Sequence, residues 1–135
     1  MTRILAFIVN YMGFLWSGAR FRIVGSEVST SNGGDALLLV ESSQLRLRFV
    51  SDRTQLLLDF QPSETVNPNE WFSIDLIRRM ILGNREFSAV LDESYVEFLQ
   101  RNLDEIENRF SNENWPIPRS QLQALKKKRA EEMFG

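Results

Sequence analysis

Acidic side chains are the only plentiful groups in this sequence able to move a proton. Residues 85–113 carry eight Asp or Glu against three basic residues, and Glu93, Glu97, Asp104, Glu105 and Glu107 recur on the solvent side of an apolar helical pattern. A glycosidase-type pair needs two carboxylates held in unlike environments across a substrate, and no pair here is singled out in that way. Glu93 with Glu97, or Asp104 with Glu107, has a helical spacing that suits a hard cation held by oxygen. Ordinary solvated helices produce the same spacing. The sequence contains no histidine and no cysteine. The commonest general base, the commonest nitrogen ligand, thiolate nucleophiles and every sulfur-ligated zinc site are therefore excluded. No EF-hand loop, P-loop or nucleotide-binding glycine fingerprint occurs, and Gly33 with Gly34 reads as a turn. These residues point to a binding protein rather than an enzyme, with no cofactor and no metal. A carboxylate-based enzyme or an oxygen-ligand metal site is the alternative they leave open.

Lys126, Lys127, Lys128 and Arg129 form the one basic run. Clustered positive charge suits phosphate, but Glu131 and Glu132 follow at once, and positive charge near a helix C-terminus also complements the helix dipole. The whole chain has a net charge of −2 and a pI near 5.2, so no overall positive field draws it to nucleic acid or anionic lipid. We expect neither a nucleic acid nor a membrane as partner. The acidic segment has another use, since opposite charge steers association with a basic protein. Glu93, Glu97, Asp104 and Glu105 are accordingly candidate protein-binding residues.

The elements that must position these groups fit one domain spanning residues 1–135. A chain of this length buries roughly 65–70% of the surface its unfolded form exposes, and 43% hydrophobic content can fill that core without staples. The apolar run over residues 3–17 resembles a leader, yet Asn10, Tyr11 and Gly13 interrupt it. It is expected instead to be a largely buried helix with Ile4, Leu5, Ile8, Tyr11, Met12 and Leu15 on its apolar face. A cytosolic protein is expected. Arg20 to Val28 alternates as a half-buried strand with Phe21 and Ile23 inward, and Ser29 to Asp35 reads as a loop. Strands over Ala36–Glu41, Gln44–Val50 and Gln55–Gln61 complete a four-stranded antiparallel meander. A polar linker, Pro62 to Asn69, leads to three helices. The first is Ile74–Leu82, capped by Ser73 and ended by Gly83, with Trp71 and Phe72 as core plugs before it. The second is Asp92–Phe110, and the third runs from about Arg119 to Phe134 beyond the boundary set by Pro116 and Pro118. The fold class is α+β.

Centring the second hairpin on Asp52 and Arg53 pairs Phe49 with Leu56, Leu47 with Leu58 and Leu45 with Phe60, and sets Arg46 opposite Asp59. Centring the first on Ser42 and Ser43 pairs Val40 with Leu45 and Leu38 with Leu47, extending the same apolar face. Left on the other face are Leu37, Leu39 and Leu57 among Glu41, Arg46, Arg48 and Asp59. Arginine stems lying over leucines explain such a surface; so does a protein-binding patch, where arginine beside aliphatic groups is common. Leu37, Leu39, Arg46, Arg48, Leu57 and Asp59 join the candidate binding residues.

The order of elements, with the strand run Leu45 to Phe60, the sequence Trp71-Phe72-Ser73 opening a helix that stops at Gly83, the acidic helix, and the close Leu125-Lys126-Lys127-Lys128-Arg129, resembles small bacterial proteins similar to immunity proteins of polymorphic toxin systems. Such families share no catalytic residues, so no site carries over. The resemblance implies a non-enzymatic protein that neutralises a cognate toxin by occlusion. A homo-oligomeric structural or adaptor module, associating through Leu37, Leu39 and Leu57, is the second expectation.

Overall fold

The structure is a computed structural model, and it describes residues 1–28 and 35–134. Strands β1 (Arg22–Val28), β2 (Ala36–Glu41), β3 (Leu45–Asp52), β4 (Gln55–Pro62) and β5 (Phe72–Ser73) form one antiparallel sheet in that order. Helix α1 (Thr2–Tyr11) and a 3₁₀ segment, Gly13–Ala19, precede the sheet, while α2 (Ile74–Leu82), α3 (Glu93–Arg109) and α4 (Pro116–Phe134) follow it. The α+β architecture is as expected, with a fifth strand in place of four. Two residues carry no readable alternation; pairing of Phe72 with Phe60 and of Ser73 with Asp59 creates β5. The loop expected over Ser29 to Asp35, with its Gly33–Gly34 turn, lies outside the described residues apart from Asp35.

One sheet face is the core. Leu38, Val40, Leu45, Leu47, Phe49, Leu58 and Phe60 are buried there, closed over by Ile4 and Ile8 of α1 and by Leu99, Leu103 and Ile106 of α3. Alternate burial along β2 and β3 follows from the two-residue side-chain period. The hairpin registers differ from the expected ones by two. Leu47 faces Phe60, Phe49 faces Leu58, Arg48 rather than Arg46 faces Asp59, and Val40 faces Leu47. A shift of two preserves each residue's face, so apolar counting cannot detect it. Turn chemistry decides instead. Arg53 takes φ 59° while its N–H donates to the Asp35 carboxylate at 3.1 Å, and the Ser42 Oγ accepts the Leu45 N–H at 3.2 Å.

Three expectations about the first third of the chain are corrected. The first helix stops at Tyr11 and passes into the 3₁₀ segment. Ile4, Ile8, Met12 and Leu15 are buried as expected, but Leu5 and Tyr11 are 42% and 45% exposed, because the buried stripe is narrower than the apolar one. β1 is not half-buried: six of its seven residues are exposed, and Ile23 is 52% exposed. Phe21 is buried just before the strand begins. A bulge between Ile23 and Gly25 breaks the alternation, and a Cβ at Gly25 would stand 3.3 Å from Leu39 Cδ1.

The C-terminal helices form where expected, but two of their end signals act differently. Asp92 caps α3 by accepting the Tyr95 N–H at 3.0 Å. Gly83 ends α2 with φ 82°, a left-handed conformation that glycine adopts without strain. Ser73 stands at the α2 N-cap but makes no side-chain cap bond; its hydroxyl turns to Asp75. In α4 both prolines lie inside the first turn rather than ahead of it, where a missing N–H is tolerated.

Candidate functional site

The outer sheet face collects Leu37, Leu39, Glu41, Arg46, Arg48, Leu57 and Asp59, every one half-buried. Both arginines have partners within the chain. Arg48 makes two bonds to Asp59, at 2.7 and 3.0 Å, and lies 4.5 Å from the Trp71 ring centre. Trp71 therefore covers the outer face and does not plug the core; Phe72 does that, against Trp115. Arg46 donates to Gln61 at 3.0 Å and to the Ser63 carbonyl at 3.2 Å, with Glu41 3.5 Å away. Gln61 is fully buried because the following linker folds back over it, offering the carbonyls of Pro68 and Glu70 to its amide. One end of the face is thus roofed by the chain itself.

The other end opens into a cavity of about 460 Å³. Leu57 and Asp59 of β4, Asp75 of α2, the segment 85–89 and the last turns of α4 line it. Its four carboxylates each meet a guanidinium: Asp59 meets Arg48, Asp75 meets Arg129 at 2.8 Å, Glu86 meets Arg78, and Glu132 meets Arg79 at 2.7 Å. The hydrogen bond from Arg79 holds Glu132 below the usual carboxylate range. Nearby, burial pushes the Tyr95 phenol well above its ordinary value while its hydroxyl donates to the Ser88 carbonyl. With its charges matched internally, the recess has apolar wall left to offer. Leu57, Phe87, Ala89 and Met133 supply that wall, and Phe87 and Met133 are 86% and 67% exposed at the rim. Among the described residues, no group of three acidic side chains is placed to hold a metal ion.

The acidic helix is exposed at Glu93, Glu97, Asp104 and Glu105. Intramolecular arginines neutralise three of these: Arg101 with Glu97 at 2.6 Å, Arg20 with Asp104 at 2.6 Å, and Arg109 with Glu105 at 2.8 Å. Glu107, expected on the solvent side, is 6% exposed; it accepts the Ser42 hydroxyl at 2.7 Å and pairs with Arg20. Within the basic run only Arg129 is ion-paired, to Asp75; Lys126, Lys127 and Lys128 are exposed, with Lys126 Nζ 5.8 Å from the Phe72 ring centre.

Of the ten candidate residues, the fold brings Leu57 and Asp59 into the recess and leaves the acidic helix residues outside its lining. Sequence reasoning missed Asp75, Phe87, Arg129, Glu132 and Met133. A partial signal existed in α4, where Arg129, Glu132 and Met133 share one side at spacings of three and four. No family model, curated protein or solved structure matches the chain. No described helix is long and apolar enough to cross a membrane.

Proposed function

We propose that the chain is a non-enzymatic binding protein that holds a protein partner at the open end of its outer sheet face. The observation that supports this reading best is the recess between β4, α2 and α4. Its carboxylates are paired within the chain, and its rim presents Phe87 and Met133 to solvent. Aromatic and methionine side chains beside matched charge are typical anchors of a protein interface. An apolar side chain of the partner fills the recess, and the Arg85 guanidinium, 47% exposed, stands at its edge. Because Glu97, Asp104 and Glu105 of α3 are already paired with arginines of the chain, the recess rather than the acidic helix is proposed to carry the partner contacts. Together with the resemblance to immunity proteins, this makes a cytosolic protein that occludes a cognate toxin the particular function proposed.

Co-expression with the product of the adjacent gene tests the reading. Binding and protection of the host are expected with the native chain. With Phe87→Ala and Met133→Ala combined, both are lost while stability stays within about 0.5 kcal/mol, as for exposed positions generally. Absence of a complex and of protection when both chains are made would overturn it.

A further inference from the structure

Strand β1 carries a second, independent surface. It is the terminal strand of the sheet, bonded to β2 on one side, and among the described residues nothing pairs with its other side. A free strand edge is a row of unmet backbone donors and acceptors, which monomeric proteins guard with charged side chains, proline or a bulge; β1 has a bulge and two charges, Arg22 and Glu27, of opposite sign. It also exposes Ile23, Val24 and Val28 by 52%, 41% and 59%.

The bulge determines what this edge fits. Arg22 stands opposite Glu41 and Glu27 opposite Leu37, so both point to the outer face. Residues five apart in a regular strand point to opposite faces; the extra residue at Val24 restores them to one. We propose that β1 pairs antiparallel with β1 of a second copy of this chain, about a two-fold axis that sets Val24 of each copy against Gly25 of the other. This register puts Arg22 of each copy opposite Glu27 of the other, twice per dimer, and Ile23 opposite Ser26 on the helical face. In-register parallel pairing would set like charges together. The strand is therefore self-complementary in one direction only, as a closed two-fold interface requires. The product is one continuous sheet across two chains, with each outer-face recess left open.

Sedimentation equilibrium over a range of concentrations reads the association directly. A reversible dimer is expected, and Arg22→Glu or Glu27→Arg alone should weaken it roughly tenfold by replacing two opposite-charge contacts with two repulsive ones. Mixing the two single variants should restore association as a heterodimer, since every cross-chain contact again joins opposite charges. The doubly swapped chain should recover the homodimer. Amide exchange supplies a readout without substitution: residues 22–28 should become more protected as the concentration of the native chain rises. A chain that stays monomeric throughout, a dimer indifferent to both reversals, or β1 amides whose protection ignores concentration overturns the proposal.

Discussion

Asp75 is 5% exposed, and its charge is met by two contacts from Arg129 Nη1 at 2.8 and 3.0 Å and by the Ser73 hydroxyl. A buried carboxylate stripped of its cation is strongly destabilising, whereas losing both charges together is far milder. Arg129→Ala is therefore expected to lower stability by about 2 kcal/mol, moderated by the remaining hydroxyl partner. Adding Asp75→Asn to that variant should recover much of the loss. Urea unfolding of the single and double variants checks both figures. The pair joins residues 54 positions apart, so no local spacing announces it. By contrast, Leu45, Leu47, Leu58 and Phe60 are legible as core, because alternation along a strand is a local property of the backbone.

At the scale of elements, the local signals that held were those tied to a backbone conformation. Gly83 takes φ 82°, and a Cβ there would meet nothing within 4 Å. The cost of Gly83→Ala is thus conformational alone, and a loss of about 1 kcal/mol is expected by thermal or urea unfolding. A much larger loss would mean that the helix end makes contacts beyond its cap. Helix α4 shows the opposite regime. Leu122 is its one buried leucine and Leu125 is partly covered, and bonds from Arg119 to Glu70 at 2.8 and 3.0 Å, together with those of Arg129 and Arg79, tie it down. Its thin apolar stripe was legible, but what compensates for that thinness was not, because each ion-pair partner lies on another element.

For the whole molecule, this attachment of α4 makes stability depend on pH. Hydrogen bonds from Arg119 and from Arg79 hold the Glu70 and Glu132 carboxyls below their ordinary 4.5. A carboxylate with a depressed folded-state pKa contributes fully above its unfolded value, and the contribution disappears as pH falls through the folded value. The α4 contacts are therefore intact at neutral pH and weaken below about 4.5. Amide exchange along the pH series should show α4 opening before the sheet, with Glu70→Gln and Glu132→Gln flattening the dependence.

The sequence by itself determined the class of fold, the faces of strands β2 to β4, the glycine end of α2, and the leucine–arginine character of the outer face. All of these follow from side-chain periodicity or from the backbone preference of single residues. The tertiary structure alone decided the hairpin registers, the two-residue β5, the exposure of β1 and the pairing of nearly every buried charge. It also decided that a linker roofs one end of the outer face and leaves a recess at the other. Those outcomes depend on which distant segments meet, and local periodicity carries no information about that.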